Sequence, residues 1–190
     1  MTNIAIFASG SGTNAENIIN YFKNDNNINV SLILSNNKDA FVIERAKKFN
    51  IPFYIFSKNN LKSNNVLDKL SEYNINFIVL AGFLLLIPEN IVSKFNNRIV
   101  NIHPALLPNY GGKGMFGMNV HNAVIKNGEK ESGITIHFVN NNYDDGDIIF
   151  QKKCKISIDD TPDDLAQKIH QLEYKYFPVV IKETIKKINL

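Results

Sequence analysis

The 190-residue sequence contains a single cysteine, Cys154. That excludes an intrachain disulfide and a zinc site built on cysteines. Cys154 lies in the alternating segment "IIFQKKCKISI" with no adjacent histidine, so it reads as a strand residue rather than a reactive thiol. Long apolar runs are missing as well. The longest, "FIVLAGFLLLI" at Phe77–Ile87, falls short of the about 20 residues that cross a bilayer. No basic segment followed by an apolar stretch and a cleavage site opens the chain, so no signal peptide is read, and a cytoplasmic protein with no membrane partner is expected. The net charge of +3 is small and the lysines are scattered; an anionic small molecule is permitted, but there is no concentrated basic patch and no nucleic acid is expected. The four histidines, His103, His121, His137 and His170, show no metal-ligand spacing, and no metal is expected. No serine or cysteine nucleophile stands at a telling spacing from a base.

What is present is a 44% hydrophobic chain with a clear β-α alternation, read as one domain over residues 1–190. Strands are expected at Asn3–Ala8, Ile28–Ser35, Phe53–Phe56, Phe77–Ala81 and Arg98–Ile102. Helices are expected at Asn14–Asn24, Ala40–Asn50, Leu61–Tyr73 and Pro88–Phe95. The strand "FIVLA" is apolar throughout, as for a strand covered on both faces. The fold class is therefore α/β: a doubly wound, mostly parallel sheet with helices on both faces. After Asn101 the character changes. A glycine-rich stretch, "YGGKGMFGM", leads to the helical "VHNAVIKNG"; then "ITIHFV" and "IIFQKKCKISI" read as a hairpin-like antiparallel addition. The last helix opens with Thr161 as N-cap, Pro162 in the first turn and Asp164 three residues after the cap. Pro178 is expected to kink or interrupt it.

Three stretches could carry chemistry. In "FASGSGTNAENI" a strand ends, a glycine-rich turn follows and a helix begins. Gly10 and Gly12 let backbone amides approach a ligand, and the free N–H groups at Gly12, Thr13 and Asn14 form an anion site; a tight turn without a ligand is the plainer alternative. The spacing also fits G-x-G-x-x-A, but no acid closes the second strand and no lysine follows the loop, so a phosphate monoester suits it better than NAD or ATP. In "RIVNIHPALLPNY", Asn101 and His103 share a strand face at the carboxyl edge, where open α/β sheets bind ligands, and Pro104 biases His103 toward extended backbone. In "NNNYDDGD", Asn140–Asp147, one carboxylate could reach His103 and hold it protonated; a polar turn is the alternative.

Together, "SGSGTN", "ILSNNKDAF", "VLAGFLLLIP", "NIHPALLP" with Tyr110, "GITIHFV" and "DDGDIIFQ" resemble the phosphoribosylglycinamide formyltransferases, a folate-dependent family, nearly end to end. The resemblance implies transfer of the formyl group of 10-formyltetrahydrofolate to the amine of glycinamide ribonucleotide in purine synthesis, with no covalent enzyme intermediate. It implies that Asn101 and protonated His103 donate to the developing oxyanion and that Asp144 keeps His103 charged. Gly12, Thr13 and Asn14 match the segment holding the ribonucleotide phosphate, and Glu173 and His170 match substrate-contacting positions. Leu84, Leu85, Leu86 and Ile87 match the wall against the pterin, over which Asn140–Asp144 would close. A phosphate-binding half at about residues 1–100 and a folate and catalytic half at about 77–190 follow. The partners implied are the two small molecules, with the chain a monomer or homodimer.

The sequence departs from the family in places. The glycine-rich loop is longer than in many members, Asp145 stands where many have glycine, His170 where many have glutamine, and Leu85 where some carry a charge. Alternatives within the same chemistry are a formyltetrahydrofolate hydrolase, expected to carry an added N-terminal domain, and a methionyl-tRNA formyltransferase, expected to carry an added C-terminal one. A non-catalytic phosphate-ligand binding protein is a third; it would not need Asn101, His103 and Asp144 together.

Overall fold

The computed structural model describes all residues from Met1 to Leu190. Seven strands form one sheet in the order β3-β2-β1-β4-β5-β6-β7. These are β1 (Thr2–Phe7), β2 (Ile28–Ser35), β3 (Phe53–Ile55), β4 (Phe77–Leu80), β5 (Ile99–His103), β6 (Glu131–Phe138) and β7 (Ile148–Lys155). The first five are parallel; β6 and β7 are antiparallel to their neighbours, as the hairpin-like reading expected. The strand order reverses beside β1, between β1 and β4, and this opens a crevice at the carboxyl ends of the central strands.

Alternation along the central strands makes two cores. Ile4 and Ile6 of β1, with Phe77 and Val79 of β4, face one side. There they meet α1 (Thr13–Phe22), α2 (Val42–Lys48), α6 (Met118–Lys126) and α7 (Pro162–Lys187). Ala5, Phe7, Ile78 and Leu80 face the other side, against α3 (Lys58–Lys62), α4 (Asn65–Glu72) and α5 (Glu89–Lys94). Adjacent residues of one strand thus bury themselves in different layers, which is why these strands read as apolar without a polar phase. No helix is long and apolar enough to cross a membrane.

Two expectations are corrected. The helix expected at Leu61–Tyr73 is two helices. Ser57 and Asn60 form a reciprocal cap that starts α3 early, at Lys58. Ser63 then turns extended, and its hydroxyl accepts from Asn65 N at 3.3 Å while donating to Asn60 O at 2.9 Å. Side-chain bonds to the local backbone compete with helix continuation, and here they win.

Pro178 does not interrupt α7, which runs for 26 residues with the proline inside. A proline lacks the N–H that would bond the carbonyl four residues back, Tyr174 O. Asn17 of α1 supplies the missing donor: its Nδ2 bonds Tyr174 O at 2.9 Å. Pro178 is itself buried among the α7 residues that face the core. The start of α7 is as expected, with Thr161 and Asp164 forming a reciprocal capping box and Pro162 in the first turn. Cys154 lies in β7, and burial pushes its thiol pKa up, away from reactivity.

Candidate active site

A cavity of about 570 Å³ occupies the crevice. It is lined by the turn after β1 (Ser9–Asn14), the segment after β4 (Ala81–Leu84), Asn101–Pro104 and the glycine-rich stretch 112–117. His121, Tyr143, Asp144, His170 and Glu173 complete it. The strand-end turn, the Asn-His pair and the acidic loop, 43 residues apart at Asn101 and Asp144, therefore share one enclosure.

At one end lies the N-terminus of α1. Gly12 is its N-cap, with φ 71°, and no side chain caps the first turn, so the first helical N–H groups have no side-chain partner. The reason for glycine differs between positions 10 and 12. A Cβ on Gly12 would lie 2.5–2.9 Å from Val42 of α2, including its Cα, so residue 12 is fixed by packing and by its left-handed backbone. A Cβ on Gly10 would meet nothing within 4 Å, so nothing in the protein crowds that position. Glu16 in the first turn would oppose an anion, but Arg45 pairs with it and Lys48 bonds it at 2.7 Å. Asn14 and Glu173 are joined by a bond of 2.8 Å from Asn14 Nδ2 to Glu173 Oε2. Glu173 is 6% exposed, and burial pushes its carboxyl up to about 7 although Asn14 pulls the other way.

At the other end Asn101, His103 and Asp144 converge. His103 is 3% exposed; its Nδ1 lies 3.5 Å from Asp144 Oδ2. Its Nε2 lies 2.7 Å from Tyr110 O, so that nitrogen carries the proton donated to the carbonyl. Burial is the largest influence on the imidazole and takes its pKa below the ordinary value, against the pull of Asp144 and Tyr110 O. The expectation that Asp144 keeps His103 charged is thus opposed by burial and favoured by the acceptors at both ring nitrogens, Asp144 Oδ2 and Tyr110 O. For Asp144 burial also works against the charge, yet the His137 and His103 rings and the Gly112 N–H outweigh it and hold its carboxyl below the ordinary range. Gly112 N donates to Asp144 Oδ2 at 2.9 Å. Asp144 adopts φ 53°, a left-handed conformation that aspartate tolerates better than most residues. Asp145 points away, exposed, and accepts from Asn140 and Asn142. Gly146 completes the D-x-G frame because a Cβ there would come within 1.8 Å of Phe138 O.

Several contributors carried no recognisable signal in the sequence. His137 sits directly across the β5–β6 ladder from Asn101. Its Nδ1 donates to Phe138 O at 2.8 Å, which leaves Nε2 to accept from Asn101 Nδ2 at 3.1 Å. Asn101 Nδ2 also donates to Asp144 Oδ1 at 3.3 Å. Both amide hydrogens of Asn101 are thus spoken for, and donation to a substrate oxygen requires one of these bonds, the longer being to Asp144, to open. Tyr110 O and Gly112 N act through the backbone, which no side-chain motif records. The signal that could have found His137 is its place two residues after Thr135 on a strand that pairs with "NIH".

The wall at residues 84–87 divides. Leu84 is 43% exposed and lines the cavity, and Leu86 is 39% exposed. Leu85 packs against the core and Ile87 is buried in it. The backbone N–H of Leu84 bonds Ser9 Oγ at 3.0 Å, and that of Leu86 bonds the Tyr143 hydroxyl at 3.1 Å. Asn140 does not line the cavity; its side chain holds the turn, accepting from Asn142 N at 2.9 Å. His170 is exposed at the cavity rim, stacked on Tyr174 at 6.1 Å.

Comparisons with known proteins identify the family. Residues 2–181 match the family described as formyl transferase. The chain is 35% identical to the phosphoribosylglycinamide formyltransferase of Bacillus subtilis, over 97% of this chain and 95% of that one. It is 40% identical to the chloroplastic phosphoribosylglycinamide formyltransferase of Arabidopsis thaliana, over 94% of this chain, and spans 63% of the length of that plant protein. The crystal structure of phosphoribosylglycinamide formyltransferase from Bacillus halodurans superposes with a TM-score of 0.88 at 35% identity, covering 98% of this chain and 97% of that one. The chain belongs to the formyl transferase family.

Proposed function

We propose that the chain transfers the formyl group of 10-formyltetrahydrofolate to the amine of glycinamide ribonucleotide, a step of purine synthesis. The observation that carries this reading is the meeting of Asn101, His103 and Asp144 in one cavity that also contains an uncapped helix N-terminus. The α1 N-terminus, with Gly12, Thr13 and Asn14, takes the phosphate through backbone N–H groups and the helix dipole. Glu173 and His170 face the sugar. The pterin lies against Leu84 and the backbone of the 84–87 segment, with Tyr143 and Asp144 across from it.

The amine nitrogen attacks the formyl carbon, and the new C–N bond gives a tetrahedral oxyanion. Asn101 donates to that oxygen once its contact with Asp144 Oδ1 opens. His103, its Nε2–H still donated to Tyr110 O, accepts the proton leaving the amine on Nδ1, and the carboxylate of Asp144 beside that nitrogen stabilises the imidazolium that forms. The proton then passes to the folate nitrogen as its bond to the formyl carbon breaks. This ordering needs His103 neutral when the amine attacks, the direction in which burial moves its pKa. A positioned general acid–base contributes about 10²–10⁴-fold in rate, and a preorganised oxyanion donor about 10²–10³-fold.

The test is a substrate panel with 10-formyltetrahydrofolate and either glycinamide ribonucleotide, charged initiator tRNA or water alone. Formation of formylglycinamide ribonucleotide, with the other two arms near background, is expected. Turnover only with tRNA, or release of formate as the main product, would replace this reading by one of the related activities. No turnover in any arm, with ribonucleotide binding retained, would favour a binding protein.

A further inference from the structure

Two buried polar atoms belonging to residues of the cavity wall have no hydrogen-bond partner: His121 Nδ1 and Asn14 Oδ1. Buried polar groups in folded proteins are nearly always paired, and an unpaired one costs about 1–3 kcal/mol. On a cavity wall that cost is recovered when a ligand supplies the partner. Asn14 is already accounted for, since its amide group belongs to the proposed phosphate end and is tied to Glu173. His121 has no role in the chemistry described above.

His121 is 2% exposed and sits in the first turn of α6. The packing of α6 on α7 and on the sheet holds it in place. It lies within electrostatic reach of His103, at the amine end of the cavity, and of His170, one helical turn before Glu173 at the sugar end. We propose that His121 is a substrate contact. Its imidazole hydrogen-bonds the uncharged middle of the ribonucleotide, a sugar hydroxyl or the carboxamide, between the phosphate and the attacking amine. This rests on the ribonucleotide reading above and adds to it a residue on α6.

The chemistry of the ring suits that partner. Burial first, then the neighbouring His170 and His103, take the His121 pKa down to about 4, and the more distant pull of Asp163 does not restore it. At working pH the ring is neutral and offers one N–H and one lone pair. A hydroxyl or a secondary amide, each both donor and acceptor, can pair with either nitrogen. A phosphate would select a cation, and the uncapped α1 N-terminus already provides for it.

The experiment compares wild type, His121→Leu and His121→Asn by steady-state kinetics and by thermal unfolding with and without glycinamide ribonucleotide. Loss of one such hydrogen bond raises the ribonucleotide KM by about 5- to 150-fold in His121→Leu. It also shrinks the ribonucleotide-induced rise in Tm, while the folate KM stays within about twofold and the unliganded Tm is not lowered, since an unpaired polar group has been removed. His121→Asn, which keeps a donor and an acceptor, recovers part of the binding. A 2-deoxyribose analogue of the substrate separates the two partners. It loses affinity for wild type but not further for His121→Leu if the 2-hydroxyl is bound, and loses equally in both if the 3-hydroxyl or the carboxamide is. An unchanged ribonucleotide KM and Tm shift in His121→Leu overturns the proposal. So does a lowered unliganded Tm with ribonucleotide binding intact, or a folate KM that rises in parallel. If wild type itself neither binds nor turns over the ribonucleotide, the underlying reading fails first, and the His121 assignment fails with it.

Discussion

Replacing Glu173 with glutamine should stabilise the unliganded protein in a strongly pH-dependent way. Glu173 is 6% exposed, has one protein partner, Asn14 Nδ2 at 2.8 Å, and titrates at about 7. The ordinary value for a glutamate, taken for the unfolded chain, is 4.5. Below about pH 4 both states are protonated and the carboxyl costs the fold nothing. Between about 4.5 and 7 the unfolded state loses its proton first, so stability falls as pH rises through that window and then levels off. A shift of about 2.5 units at 1.36 kcal/mol per unit gives a penalty of about 3 kcal/mol at pH 8. Glutamine mimics the protonated acid and can still accept from Asn14. Glu173→Gln should therefore raise the unfolding midpoint at pH 8 by about 6–12 °C and leave it nearly unchanged at pH 4, at about 2–4 °C per kcal/mol for a chain of this size. Differential scanning calorimetry across pH 4–8, without ligand, measures this. A midpoint difference that does not grow with pH, or a variant less stable than wild type at pH 8, would refute the reasoning. The same variant should bind glycinamide ribonucleotide more weakly, which would identify the buried charge as a cost kept for the ligand.

Three further outcomes follow from contacts elsewhere. Gly12→Ala places a Cβ 2.5–2.9 Å from Val42 on a backbone with φ 71°, and should cost more than about 2 kcal/mol in urea-denaturation stability while raising the ribonucleotide KM. Asn17→Ala removes the donor to Tyr174 O and should cost about 1 kcal/mol; in a Pro178→Ala background, where the helix supplies its own N–H, the same change should be nearly neutral, a coupling that a double-mutant cycle of unfolding free energies reads directly. Tyr143→Phe frees Leu86 N from its 3.1 Å bond and should change the folate KM about three- to tenfold while leaving the ribonucleotide KM unaltered, because the contact belongs to the proposed folate wall.

Much of the fold was legible because both faces of the central strands are covered. "NIAIF" and "FIVL" send neighbouring residues into different cores, and that leaves an unbroken apolar signal with helices between the strands. The antiparallel end was legible from the short connection between "ITIHFV" and "IIFQ", too short for a crossover helix. Where local side-chain bonds decide, the reading failed. The break at Ser63 depends on which of two hydrogen-bonding schemes wins, and the continuity of α7 through Pro178 depends on an asparagine 157 residues away in sequence from the carbonyl it serves. In the site, side chains in motifs were found, and Asp144 rather than Asp145 faces His103. The parts that act through backbone atoms, Tyr110 O and Gly112 N, were not, because any residue carries those atoms. His137 was passed over because its partner, Asn101, belongs to another strand, and only the register places them opposite each other.

The most direct test of the central claim is the single-turnover rate of formyl transfer from 10-formyltetrahydrofolate to glycinamide ribonucleotide in His103→Ala, with ribonucleotide affinity measured on the same sample. The rate should fall by about 10²-fold or more while affinity for the ribonucleotide stays within about threefold, since the proposed phosphate site lies at the other end of the cavity. A rate within about twofold of wild type, and likewise for Asn101→Ala and Asp144→Ala, would contradict the account.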